Sequence, residues 1–122
     1  MTAPKRQVRV ILRGQAKTEF EELNRIAGTQ QAQGETNSQE MQLLRSIRQK
    51  SDLIKENPVY GENVPKRLIP RSLVVNNLFR VELTGYWRML YTLNSDQVEI
   101  VAFVIYIFDH ERYDKLFGYS KR

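Results

Sequence analysis

A chain of 122 residues can bury one ordinary core but not two typical domains, and 41% apolar against 27% charged residues is a globular balance. The absence of cysteine excludes disulfides and thiolate metal sites and makes a reducing, cytoplasmic setting the expectation, while one histidine, His110, cannot build a histidine-rich metal centre. A net charge of +5, from 19 Lys and Arg against 14 Asp and Glu, favours contact with phosphates or with an acidic partner.

No apolar core follows the basic start, so a secretory signal is not expected. The longest apolar run, Ile100–Phe108, falls far short of the roughly 20 residues a membrane-spanning helix needs. Charge is unevenly spread. Lys5, Arg6, Arg9 and Arg13 open the chain with no acid among them, and Lys66, Arg67 and Arg71 form a second basic cluster. The acids gather between Glu19 and Glu56.

Val8–Leu12 is a β-branched run ended by Gly14 and predicts a first strand. Ala16, Phe20, Leu23, Ile26 and Ala27 fall on one helical face, with Gly28 as the expected stop. Thr29–Asn37 has no periodicity and is expected to be an exposed loop. Asn37 or Ser38 can cap a second helix, with Glu40 placed to strengthen a cap at Asn37. Met41, Leu43, Leu44, Ile47 and Ile54 give that helix its apolar face, and Pro58 ends it near Asn57. The two segments predict an antiparallel helical hairpin.

Pro58–Pro70 is a loop-rich crossing. Pro58, Pro65 and Pro70 make a central strand there improbable, although Lys66–Val75 can supply an edge strand. Phe79, Val81 and Leu83 then alternate with Arg80, Glu82 and Thr84. After a turn at Gly85, Trp87, Met89, Tyr91 and Leu93 alternate with Arg88, Leu90 and Thr92, which puts Trp87 on the covered face. Asn94-Ser95-Asp96 is a second turn, and Val98–Phe108, apolar at nearly every position, is expected to be a central strand covered on both faces. Asp109 is placed to cap a last helix over His110–Phe117, with Gly118 as its stop. This order predicts a single α+β domain over residues 1–122, with helices on one face of a largely antiparallel sheet. The other face, partly open, should display Arg80, Glu82 and Arg88.

Leu78-Phe79-Arg80-Val81-Glu82-Leu83, Trp87-Arg88-Met89-Leu90-Tyr91, the basic Val64-Pro65-Lys66-Arg67-Leu68 stretch and the closing Asp109–Leu116 segment together resemble the RelE/ParE superfamily of toxins from toxin–antitoxin pairs. Motif-level similarity covers residues 64–118. The resemblance implies a RelE-like fold and, for the RelE branch, a ribosome-dependent messenger-RNA endonuclease restrained by a cognate antitoxin protein. It implies no cofactor, metal or membrane. In such chemistry the 2′-hydroxyl attacks its own 3′-phosphodiester, so the protein must align the attack, offset phosphorane charge and move two protons.

Arg88 matches the family's phosphate-binding arginine, and arginine suits that task because its planar fork grips two oxygens and stays charged. The plain alternative is a surface arginine paired with Glu82. Arg80 matches a second basic position. Glu82 stands where RelE proteins usually carry a lysine, and is either a general base or an ion-pair partner. His110 and Tyr113 are candidates for proton transfer, with Tyr106 competing for the same position because the register of this segment is open by about two residues. Lys66, Arg67 and Arg71 are expected to contact RNA backbone phosphates. Two other functions fit the same motifs: a ParE-like gyrase inhibitor without chemistry of its own, and a catalytically inactive binding relative.

Overall fold

In the computed structural model, which describes residues 6–119, β1 (Gln7–Leu12) lies parallel beside β5 (Glu99–Asp109). The sheet continues antiparallel through β4 (Trp87–Ser95), β3 (Phe79–Glu82) and β2 (Glu62–Asn63), in the order β1-β5-β4-β3-β2. Between β1 and β2 the chain forms a hairpin of α1 (Gln15–Ala32) and α2 (Gln39–Glu56), and α3 (His110–Phe117) follows β5 directly. The class is α+β, with three helices on a five-stranded, mostly antiparallel sheet. Among the described residues no helix is long and apolar enough to cross a membrane.

The helical hairpin covers one sheet face. Its Leu23, Leu44 and Ile47 bury against Val81, Met89 and Val104, which is the partition that the strand alternation requires. Trp87 joins this core from its margin, as its position in the alternation predicts. On the opposite face Leu78, Leu90, Phe108 and Tyr113 form a second cluster, closed by Ile69 of the crossing, by Leu73 and Val75 just after it, and by Leu116 and Phe117 of α3. That face is therefore less open than expected. At the hairpin end, Glu82 and Arg88 stand beyond this cover, while Arg80 is met by Glu62 of the crossing.

A bulge in β5 divides its side chains between the two clusters. Leu90 faces Tyr106 and Tyr91 faces Val104, so Ile105 is the extra residue. Val104 and Ile107 can then both reach the helix-covered core at 0% exposure, while Ile105 and Tyr106 both join the second cluster. An uninterrupted apolar run carries no mark of such a register shift.

Strand ends that lack a neighbour are completed by side-chain amides. Beyond the end of β1, Gln15 donates to the Ile107 carbonyl at 2.9 Å and accepts the Ile107 N–H at 2.9 Å. Beyond the start of β3, Asn77 accepts the Leu93 N–H at 2.7 Å and donates to the Leu93 carbonyl at 3.0 Å. Both imitate one rung of a ladder. Gln15→Ala should lower the stability of the fold by about 1–3 kcal/mol, because it leaves a partly buried N–H and carbonyl of Ile107 unpaired. Chemical denaturation checks this, and an unchanged midpoint would mean that water replaces the amide.

Several element limits differ from expectation. Gly28 does not stop α1, which runs on to Ala32; the left-handed glycine beyond it is Gly34, at φ 91°. The extra turn is held from outside, since Gln30 donates to Glu40 at 2.8 Å and accepts the Ser38 hydroxyl at 2.5 Å. Of the two residues offered as the cap of α2, Ser38 is the one used, accepting the Met41 N–H. Lys66–Val75 is not a strand but a 3-10 turn at Lys66–Leu68 followed by irregular chain; the edge strand is Glu62–Asn63, the proline-free part of the crossing. Val98, expected to open the last strand, lies just before β5 and is 78% exposed, and the first two residues of β5 are only half-buried.

Candidate functional site

Alternation in β3 and β4 delivers Arg80, Glu82 and Arg88 to the face opposite the helical hairpin, with Glu82 directly across from Arg88. The third contribution comes from α3. Asp109 caps that helix by accepting the Arg112 N–H at 2.9 Å, and Gly118 ends it at φ 76°. Its start is pinned by Arg112, which pairs with Glu19 of α1 at 2.9 Å and lies over the Trp87 ring. One turn in, Tyr113 is set onto the sheet at 4% exposure.

Two guanidinium groups flank that one phenol. Arg80 Nη1 donates to the Tyr113 hydroxyl at 3.2 Å. The Arg88 Cζ lies 4.9 Å from the centre of the same ring, within cation–π range. Their environments differ. Arg80 is held on its other nitrogen by Glu62 of β2 at 2.6 Å. Arg88 has no carboxylate partner among the described residues, and the alternative pairing with Glu82 does not form. Its Nη1 makes a long contact of 3.4 Å to the Tyr86 carbonyl, and its Nε is buried with no acceptor. The Arg88 guanidinium thus keeps donors that no carboxylate among the described residues takes.

Protonation follows from these contacts. Burial by itself would lower the Arg80 pKa, but its bonds to Tyr113 and Glu62 outweigh that and raise it above the ordinary arginine value. Burial raises Tyr113, and the hydrogen bond from Arg80 offsets only part of the effect. At neutral pH Tyr113 is thus a protonated phenol. It can act as an acid but not as a base.

His110 is the first residue of α3, yet the contact it makes is with Tyr86, edge to face at 5.9 Å, and its imidazole makes no hydrogen bond among the described residues. Tyr106 stacks on Phe108 at 5.1 Å inside the second cluster. Of the aromatic candidates, Tyr113 is the one that meets the arginines. Lys66, Arg67 and Arg71 are exposed on the crossing without ion-pair partners among the described residues, and Lys66 and Arg71 border a shallow pocket of about 310 Å³. Lys5, of the first basic cluster, lies outside the described residues.

Two residues of the site were not legible beforehand. Glu62 lies within the crossing, and only the pairing of β2 with β3 brings it opposite Arg80. Tyr86 follows the turn glycine, and nothing local marks it as the neighbour of both Arg88 and His110. Compared with known protein families, curated proteins and solved structures, the chain matches none.

Proposed function

We propose that this chain is a RelE-type toxin that cleaves messenger RNA on the ribosome and is held inactive by a cognate antitoxin covering the arginine-bearing face. One observation carries the reading: an arginine with unused donors, Arg88, and a second arginine, Arg80, flank a protonated phenol on one sheet face. Arg88 grips the non-bridging oxygens of the scissile phosphate and offsets the charge that grows there. Glu82, exposed across from Arg88, takes the 2′-hydroxyl proton as the O2′–P bond forms. Tyr113, its oxygen already receiving a hydrogen bond from Arg80, gives its proton to the 5′-oxygen as the P–O5′ bond breaks. Lys66, Arg67 and Arg71 hold flanking phosphates.

The 4% exposure of Tyr113 favours a second reading, in which the same face binds a target without chemistry, as in a gyrase-inhibiting or inactive relative. Inducible expression separates the two, combined with end analysis of messenger RNA incubated with purified chain and intact ribosomes. Growth arrest with products ending in 2′,3′-cyclic phosphate and 5′-hydroxyl is expected. Arrest with intact RNA would leave only the binding reading, and unimpaired growth would remove both toxin readings.

A further inference from the structure

The turn between β3 and β4 places two consecutive residues in the left-handed region, Gly85 at φ 67° and Tyr86 at φ 62°. Glycine and asparagine suit such a turn, and an aromatic residue there is uncommon and strained. Burial does not compensate for the strain, because Tyr86 is 78% exposed. Stability therefore gives no reason for this ring. Its surroundings do. The Tyr86 carbonyl meets Arg88 Nη1, and His110 braces the ring edge to face at an interplanar angle of 65°. Tyr86, Arg88, Trp87 and Glu82 together line a pocket of about 400 Å³, a volume within the roughly 300–1,000 Å³ of small-molecule sites.

We propose that Tyr86 is a stacking platform for an unpaired nucleobase of single-stranded RNA, seated next to the phosphate that Arg88 grips. The inference rests on the RNA reading given above and adds a substrate contact to it. An exposed aromatic face beside an arginine is the arrangement by which proteins hold single strands, since every base has a π-face and the adjoining phosphate needs a cation. His110 is then a positioning residue for the ring rather than a proton carrier. Base-paired RNA cannot offer a free face, so the platform selects unpaired strand.

The probes are a short 2′-O-methyl oligonucleotide, which cannot be cleaved, and the same sugar–phosphate strand with no bases, titrated at low ionic strength. Tyr86→Gly removes the ring and the backbone strain together. It should weaken binding of the oligonucleotide about five- to 150-fold and change binding of the base-free strand less than about twofold. Tyr86→Trp should restore the affinity, and Arg88→Ala should weaken both probes. Equal losses on the two probes in Tyr86→Gly, or no loss on either, overturn the platform while the Arg88 result upholds the phosphate contact. Unchanged RNA affinity with lost growth arrest assigns the turn to a protein target and also overturns it. Failure of the wild type to bind either probe overturns the platform too, whereas the growth and cleavage assay decides the parent reading independently.

Discussion

Arg88→Ala is expected to lower the rate of RNA cleavage by about 10²–10³-fold, the scale of losing one preorganised donor to a developing oxyanion. The effect should fall on cleavage and not on folding. Arg88 has no ion pair among the described residues, so its removal forfeits only the long contact to the Tyr86 carbonyl and the cation–π contact on Tyr113, and it also removes the unsatisfied buried Nε. A thermal midpoint close to that of the wild type should accompany the loss, because the lost cation–π contact and the removed unsatisfied donor oppose each other. Arg88→Lys should recover little, because an ammonium cannot grip two phosphate oxygens in one plane. Arg80→Ala differs in kind. It frees both Glu62 and the Tyr113 hydroxyl, so activity and stability should fall together. Wild-type cleavage rates in Arg88→Ala would remove the arginine from the reaction.

Tyr91→Phe should cost about 2–4 kcal/mol of stability, a large fraction of what holds a domain of this size. The ring is fully buried and stacks on Phe79 at 5.1 Å, and phenylalanine preserves that packing. What is lost is the hydroxyl, which donates to the Pro58 carbonyl at 2.8 Å and accepts the Gly61 N–H at 2.9 Å. Two partly buried backbone groups of the crossing are then left unpaired. Gly61→Ala attacks the same joint from the other side, since a Cβ there would stand 2.9 Å from Tyr91 Cε1 and 3.1 Å from the Arg80 carbonyl, and neither can move aside.

The joint matters beyond stability because the next residue, Glu62, holds Arg80. Loosening it should weaken substrate binding in variants that remain folded. Denaturation of both variants checks the first effect, and RNA titration checks the second. The joint also sets an alkaline limit. Burial raises Tyr91 above its ordinary value of 10.0, so the neutral phenol is favoured in the folded state. Its contribution is complete below pH 10.0 and declines as the pH climbs through the folded-state value. Tyr113, raised by burial in the same way, adds to that decline. Tyr91→Phe, though less stable throughout, should lose less of its remaining stability above that pH than the wild type does.

Patterns that act within a few residues were readable from the amino acids alone. The α+β class, the helical hairpin and the faces of β3 and β4 follow from periodicity. The limits of α3 follow from Asp109 and Gly118, whose capping chemistry works within one turn. That Arg80, Glu82 and Arg88 share a face follows from a period of two. Tertiary structure decided everything that depends on register between distant segments. The β5 bulge, the edge strand at Glu62–Asn63 and the continuation of α1 past Gly28 each depend on partners far along the chain or on the other helix. So does the site. Arg80 reaches Glu62 and Tyr113 across 18 and 33 positions, and Arg88 turns from the adjacent Glu82 toward the Tyr113 ring. Charge complementarity in the sequence says which groups can pair, but only the packed chain sets which of them lie within bonding distance.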